Sequence, residues 1–204
     1  MTLKALAFNC TLKPSPDASS TEKLLREMLE ALGRHETEGD IVRAVDFNIK
    51  PGVRSDEGEG DDWPELRKRV IAADILLLGS PIWLGQPSSV SKRVLERMDA
   101  FLGEKDERGR MPSYGKVAVA VVTGNEDGAH HVGAEFQQAL TEVGFTIPAG
   151  GVTYWVGEAM HGTDYKDLKS PPDVVTNWTK MLASNTAPLA RLLKQENYPG
   201  MKSG

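Results

Sequence analysis

Segment 80–88 of this sequence combines residue types that suit a flat ligand. It reads Ser-Pro-Ile-Trp-Leu-Gly-Gln-Pro-Ser, and it separates the apolar run 74–79 from an amphipathic helix. A loop at the carboxyl end of a strand in an open α/β sheet is where ligands bind. Proline and glycine allow a tight backbone, while isoleucine and the indole offer flat apolar contact. The segment therefore favours a planar aromatic ring, although a plain strand-to-helix connection has the same composition.

The segment after the first apolar run carries a surplus of hydroxyl groups and a lysine. Asn-Cys-Thr-Leu-Lys-Pro at 9–14 is followed by Ser-Ser-Thr at 19–21, where a helix begins. Hydroxyls, backbone amides and a helix amino terminus form an anion site, and a lysine suits a phosphate. Capping alone is the alternative, because Ser19 and Glu22 have the spacing of a capping box. We expect the following residues to bind a phosphate: Thr11, Lys13, Ser19, Ser20 and Thr21.

A third segment, Thr-Gly-Asn-Glu-Asp-Gly at 123–128, follows another apolar run. Its glycines allow the backbone to approach a ligand closely. Asn125 and Glu126 are predicted to bond the polar rim of a heterocycle, and Asp127 either joins them or caps the next helix. His130 and His131 follow, but adjacent helical residues point about 100° apart and chelate a metal poorly. We expect no metal site.

Together the three segments describe the shape of one ligand. A phosphate site on the first and flat apolar walls on the others fit a mononucleotide with a large planar head. Flavin mononucleotide (FMN) is the common cofactor of that shape.

Composition limits the classes of protein that this chain can represent. Its 204 residues (22.2 kDa) are 40% hydrophobic and 26% charged, which is typical of one globular domain, 1–204. A net charge of -5 argues against nucleic-acid and membrane-surface partners. The single cysteine, Cys10, excludes an internal disulfide or a CxxC pair. No signal-like segment is evident, so a cytoplasmic location is expected. The loosest segments should be 52–62 and the tail 194–204.

Short apolar runs alternate with helix-period segments, which predicts an α/β fold. Helices are expected around 24–32, 90–98 and 132–143, from Asp62-Trp63-Pro64 onward, and after Pro171-Pro172, with Pro188 kinking or dividing the last one. Strands are expected at 3–8, 41–45, 75–79 and 117–122, with a split fifth at 145 and 151–154. We predict a flavodoxin-like three-layer sandwich whose five-stranded parallel sheet has the order 2-1-3-4-5. A six-stranded Rossmann sheet is the alternative, but no GxGxxG follows the first strand.

With these motifs the sequence resembles the flavodoxin-like NAD(P)H-dependent FMN reductases over most of its length. The resemblance rests on Thr11-Leu12-Lys13 with Ser20-Thr21, on Ser80-Pro81-Ile82-Trp83 with Gly85, and on 123–128. It implies that the first group surrounds the FMN phosphate. Contact with the ribityl chain and the ring is implied for Pro81, Ile82, Trp83, Leu84 and Gly85. The pyrimidine side of the ring is implied to face Thr123, Gly124, Asn125, Glu126 and Gly128.

Two features depart from the family pattern. Cys10 stands where the family often has glycine, and the spacer 14–18 is long. A thiol nucleophile or redox sensor is conceivable at Cys10, but no neighbouring histidine would lower its pKa. We expect a small packed side chain there.

The resemblance implies an FMN-dependent oxidoreductase that takes hydride from NADPH or NADH and reduces a small-molecule acceptor. Backbone amides of 83–86 and 123–128 would stabilise charge on the ring, with no general acid or base. Trp83 would shape access to the ring or simply pack on the next helix. The alternatives are a flavodoxin-type electron carrier and a binding domain without flavin. By analogy with the family, a homodimer or higher homo-oligomer is expected. The long connection 157–169 should lie near the flavin or a subunit boundary, or form a surface loop.

Overall fold

The computed structural model describes residues 2–159 and 161–201, so Met160 of the long connection lies outside it. Its strands are β1 (Leu3–Asn9), β2 (Thr37–Arg43), β3 (Ile75–Trp83), β4 (Gln86–Pro87), β5 (Val117–Gly124) and β6 (Val152–Val156). Its α-helices are α1 (Ser20–Gly33), α2 (Trp63–Ala72), α3 (Ser89–Met98), α4 (Ala129–Glu142) and α5 (Asp173–Gln195).

The main sheet is parallel and has the order β2-β1-β3-β5-β6. Because β4 is only a two-residue strand paired with the end of β3, this order is the predicted 2-1-3-4-5 arrangement. Val, Ile, Leu and Ala dominate β3 and β5, which are buried on both faces of the sheet. The predicted flavodoxin-like α/β fold is confirmed. The single-domain organisation of 1–204 stays a prediction.

The largest differences from the predicted strand bounds are in β2 and β3. Strand β2 begins at Thr37 rather than at 41, and a short 3₁₀ turn occupies 44–46. The first residues of β2 are polar and mostly exposed, because this strand lies at the edge of the sheet, and so they lack an apolar signal. Strand β3 continues to Trp83 rather than ending at 79.

Apolar side chains form one core on each face of the sheet. Leu24 of α1 and Leu182 of α5 belong to one core, and Trp63 of α2, Val94 of α3 and Phe136 of α4 belong to the other. The resulting layers are helix, sheet and helix, as in doubly wound folds. Helix α5 runs unbroken through Pro188, so the proline does not divide it.

The acidic segment 52–62 is held by a buried ion pair, contrary to the expected looseness. Arg97 of α3 donates to both carboxylate oxygens of Asp61 at 3.0 and 2.7 Å, and both side chains are fully buried. Arg97 also donates to the backbone carbonyls of Lys50 and Arg54. Arg97 therefore holds both ends of this segment against α3.

The C-terminal tail is shorter than the expected 194–204. Helix α5 includes residues 194 and 195, and the amide of Asn197 donates to the carbonyl of Tyr114 at 3.2 Å. The hydroxyl of Tyr198 lies 2.9 Å from that of Thr146. No helix in the described part of the chain is long and apolar enough to cross a membrane.

Candidate functional site

A cleft of about 660 Å³, including the open space at its mouth, lies at the carboxyl edge of the sheet. It brings together the three segments identified from the sequence. Its lining includes these predicted residues: Thr11, Lys13, Ser19, Ser20, Thr21, Pro81, Ile82, Trp83, Thr123, Gly124, Asn125 and Glu126. The remaining predicted residues are not in its lining: Leu84, Gly85, Asp127 and Gly128.

The hydroxyl-rich segment surrounds the amino terminus of α1. Ser19 is the N-cap residue, and its hydroxyl accepts a hydrogen bond from the amide of Glu22 at 3.1 Å. The first amides of an α-helix have no partner within the helix, and the helix dipole favours an anion there. The hydroxyls of Thr21 and Thr123 lie 2.9 Å apart and join α1 to the end of β5. This end of the cleft thus has the chemistry of an anion site.

Glu22 completes only half of the capping box, because its carboxylate points elsewhere. It pairs with Arg26 at 2.5 Å and with Arg43, and it accepts a bond from the amide of Asn9 at 3.3 Å. Burial would raise the pKa of Glu22, but the two arginines lower it overall. Glu22 does not line the cleft, so its carboxylate is kept from the predicted phosphate position.

Arg43, at the end of β2, also holds the long spacer that follows Lys13. Its guanidinium donates to the carbonyl oxygens of Lys13, Pro14 and Asp17 at 3.3, 2.9 and 2.7 Å. The spacer 14–18, which is long for the family, is therefore held in place by a side chain of strand β2. Sequence reasoning missed this role, because nothing local links 43 to 13–17.

Segment 80–88 is a β-hairpin rather than a simple strand-to-helix loop. Trp83 pairs with Gln86 across a two-residue turn whose central residues, Leu84 and Gly85, both have positive φ (53° and 73°). Two positive φ angles are what a type I′ turn requires. The turn directs Leu84 outward, 90% exposed, while Trp83 stays at the cleft wall, 50% exposed.

The hairpin tip is held against the loop after β5. A Cβ at Gly128, where φ is 126°, would lie only 2.8 Å from the backbone of Gly85. The carboxylate of Glu126 accepts a hydrogen bond from the amide of Leu84 at 3.1 Å. The amide of Leu84 is therefore already bonded in this structure, and its predicted role in stabilising charge on the ring stays a prediction. Two of the predicted cleft walls are joined by these contacts.

Two side chains after β5 bond to groups of the protein itself. The side-chain amide of Asn125 donates to the backbone carbonyl of His161 at 3.0 Å and contacts the carboxylate of Asp164 at 3.4 Å. Asp127 does not cap α4, because the N-cap is Gly128 and the Asp127 carboxylate accepts only the Gly128 amide, at 2.7 Å.

The long connection contributes a cleft wall that residue types alone did not indicate. Tyr165 is fully buried, with its ring 5.4 Å from that of Trp155 and its hydroxyl bonded to Glu27. The amide of Lys166 donates to the hydroxyl of Ser20 at 3.2 Å. Lining residues outside the predicted set are Leu12, Ala18, Trp155, Asp164, Tyr165 and Lys166. The length of the connection was the only signal in the sequence, and it pointed to this placement.

Cys10 and the two histidines lie outside the cleft lining. Cys10 is fully buried, and burial raises the pKa of its thiol, so it is the packed side chain expected. His130 lies 3.0 Å from the hydroxyl of Tyr154, and His131 lies 2.7 Å from Glu135. Within 2–159 and 161–201 no group of three or more acidic, histidine or cysteine side chains is placed to hold a metal.

Comparison with solved structures supports the fold. The chain superposes on the crystal structure of RosB with bound 8-demethyl-8-formylriboflavin-5′-phosphate with a TM-score of 0.89 and 31% identity, over 97% of this chain and 82% of that one. The apo form of the NADH:FMN oxidoreductase EmoB gives a TM-score of 0.58 at 18% identity, over 97% and 91% of the two chains, which supports the fold alone.

Two curated relatives match nearly the whole chain. An 8-demethyl-8-aminoriboflavin-5′-phosphate synthase of Streptomyces davaonensis is 33% identical over 208 residues, which is 97% of this chain and 81% of that protein. A protein of Mycobacterium bovis named divalent metal cation transporter MntH is 39% identical over 199 residues. That match covers 94% of this chain but only 29% of the mycobacterial protein.

The family comparison agrees with the resemblance seen in the motifs. Residues 3–160 match the model of the family described as NADPH-dependent FMN reductase. The match confirms the predicted enzyme class, flavin oxidoreductases, and the FMN and nicotinamide that the family description implies. This chain belongs to the NADPH-dependent FMN reductase family.

Proposed function

We propose that this protein is an FMN-dependent oxidoreductase that oxidises NADPH or NADH and reduces a small-molecule acceptor. The observation that carries the proposal is that the amino terminus of α1 and the aromatic wall of the β3–β4 hairpin line one and the same cleft. A phosphate at the first and a planar ring at the second require such an arrangement.

The residues present fit FMN. Lys13, Ser20 and the first turn of α1 would hold its phosphate, and the only nearby carboxylate of that turn, Glu22, is paired with arginines. Ile82, Trp83 and Trp155 supply apolar surface for the ring. When bound, FMN supplies the capacity to accept a hydride and to pass electrons on.

The protein groups act by binding and orientation. The hairpin and the loop after β5 are joined through the bond from Leu84 to Glu126, which would fix two walls of the ring site relative to each other. Trp83, half exposed at the mouth, would limit what can approach the ring. The individual binding roles remain predictions, including those of the residues outside the cleft lining, Leu84, Gly85, Asp127 and Gly128.

An anaerobic titration tests the proposal. The FMN-loaded protein is mixed with NADPH and, separately, with NADH, and absorbance at about 450 nm is followed. Rapid loss of the flavin absorbance after addition of at least one of the two donors supports the reductase. If neither donor bleaches the flavin while dithionite does, the oxidoreductase proposal fails and the flavodoxin-type carrier is favoured.

A second candidate function is the chemical modification of FMN, with FMN as the substrate rather than the cofactor. It is favoured by the names of the S. davaonensis synthase and of the RosB structure, in which a modified riboflavin phosphate is bound. Mass spectrometry of the flavin after turnover separates the two candidates. An unchanged mass supports FMN as a cofactor, whereas a changed mass identifies it as a substrate.

Members of this family are generally oligomeric, and we propose the same for this chain. A cytoplasmic location stays a prediction from the sequence, and so does the identity of the acceptor.

A further inference from the structure

We propose that the outer face of β6, together with the start of α5, binds a second copy of this chain. This β6 face is formed by the edge strand, by Tyr154 and His130 on one side, and by Val174 and Trp178 on the other. It borders an open groove of about 1060 Å³.

The first observation is the open edge of the sheet. Strand β6 pairs only with β5 in the described chain, and the glycines that flank it, Gly151 and Gly157, bond through their backbone to Ala120 and Gly124. Alternate residues of an edge strand point their backbone groups outward. By this alternation the backbone groups of Tyr154 and Val156 point away from β5, and outside the strand ladder they make no backbone hydrogen bond within 2–159 and 161–201. They are available to another strand.

Only part of this edge is open, which limits how a partner can pair. The indole of Trp178 donates to the outward carbonyl of Val152 at 2.7 Å and covers that end of the strand. Two antiparallel copies of β6 can still exchange hydrogen bonds between Tyr154 of each and Val156 of the other, around a two-fold axis. The open segment is thus complementary to itself, as a symmetric dimer requires.

The second observation is the apolar, uncharged character of the face. Val174 is 75% exposed and Trp178 is 44% exposed, and no Asp, Glu, Lys or Arg lines the groove. Exposed apolar surface with aromatic residues is typical of protein interfaces. The chain carries a net charge of -5, so two copies repel each other over most of their surface. A face without charged residues is where that repulsion is weakest.

The third observation is that the face adjoins the candidate FMN site. Trp155 lines both the groove and the cleft. A second copy seated here would cover the outer side of a side chain whose inner side forms a cleft wall.

Sedimentation velocity tests the proposal with Val174→Glu and a matched control, Val53→Glu. Glutamate in the first turn of α5 is compatible with the helix dipole, so the fold should survive, and circular dichroism verifies it. Val53 is also an exposed valine, at 54%, in segment 52–62 away from the β6 face. We expect the wild type and the control to sediment at a multiple of 22.2 kDa and Val174→Glu at a smaller multiple.

Crosslinking tests the geometry independently. The only natural cysteine, Cys10, is buried and should not react. Val156→Cys treated with a short bismaleimide should give a covalent dimer, and Val53→Cys should not. A monomeric wild type, or an oligomer unchanged by Val174→Glu and not crosslinked through position 156, would overturn the proposal. That result would leave the face to a different protein or to an apolar small molecule, and it would not bear on the nicotinamide titration.

Discussion

At the scale of single residues, a charged side chain that lines the candidate cleft differs from charged side chains that hold the protein together. Lys13 lines the cleft, and no hydrogen bond joins its ammonium group to another described residue. Arg43 and Arg97, in contrast, are committed to carboxylates and to backbone carbonyls. The sequence does not tell the lysine from the two arginines in this respect. The difference arises because the arginine side chains are buried among carboxylates and carbonyls.

Replacing Lys13 should weaken binding of the phosphate. We expect Lys13→Ala to raise the Kd for FMN about tenfold, because one charge-assisted contact is worth roughly 1.5 kcal/mol. Riboflavin, which lacks the phosphate, should bind both forms alike. Fluorescence quenching measures both constants, and Lys105→Ala, at another exposed lysine, is the control. An equal loss for FMN and riboflavin would contradict the phosphate role.

Asp61 makes stability depend on pH at the acid end. Burial would raise the pKa of Asp61, but hydrogen bonds from Arg97 and from the amides of Glu57, Trp63 and Lys50 hold it well below the usual range. A lowered pKa in the folded state means that this stabilisation is complete above about pH 4 and is lost as the pH falls through the folded value.

Asp61→Asn should therefore lower the free energy of unfolding at pH 7 by about 3–5 kcal/mol, because the charge of Arg97 is left buried without a counter-ion. It should also reduce the loss of stability seen on acidification. Urea unfolding at pH 7 and at about pH 2.5, which is well below the pKa of an unfolded-state aspartate, measures both effects. Asp56→Asn, an exposed carboxylate in the same segment, is the control and should change little. A stability equal to that of the wild type would refute the role of the pair.

At the scale of elements, the cleft depends on how the β3–β4 hairpin meets the loop before α4. Their backbones touch at Gly85 and Gly128, where no side chain fits. The sequence indicated a ligand loop here, but it could not show a hairpin, because the turn is formed by Leu84, a residue that seldom has a positive φ.

Gly128→Ala should push the hairpin away from this loop. The new Cβ would lie 2.8 Å from the backbone of Gly85, and φ of 126° is strained for alanine, so we expect a loss of about 1–3 kcal/mol of stability and weaker FMN binding. Thermal unfolding and FMN titration measure these effects. Gly33→Ala, where the added Cβ meets nothing within 4 Å, should be neutral or stabilising. Unchanged FMN affinity in Gly128→Ala would show that the hairpin position does not matter.

Leu84 offers a test of whether the turn residue itself contacts a ligand. Its φ of 53° is costly for leucine, and asparagine is favoured at this turn position. We expect Leu84→Asn to stabilise the protein by about 1 kcal/mol without changing the Kd for FMN, because the side chain is 90% exposed and outside the cleft lining. A raised Kd in a stabilised variant would instead support the sequence-based assignment of Leu84 to the site.

At the scale of the whole molecule, one ligand would tie together segments from four parts of the chain. The cleft is formed by α1 with its preceding loop, the hairpin, the loop after β5, and the connection around Tyr165. A ligand that binds only the folded state stabilises it by about 2.7 kcal/mol at a hundredfold excess over Kd.

FMN at that excess should raise the melting temperature by several degrees, since about 2–4 °C per kcal/mol is expected for a chain of this size. Differential scanning calorimetry with and without FMN measures the shift. Riboflavin at the same concentration should give a smaller one. No shift with FMN would argue against the cleft as its site and would favour the domain without flavin.

The sequence by itself determined the fold class, the strand order and the three segments that line the cleft. It did so because buried strands leave unbroken apolar runs, and because parallel strands end at one edge. Only the tertiary structure decided the rest. That the side chain of Asn125 bonds to His161, that Asp127 does not cap α4, and that Trp155, Tyr165 and Lys166 line the cleft all depend on contacts the sequence does not display. Local patterns in the sequence do not predict such contacts.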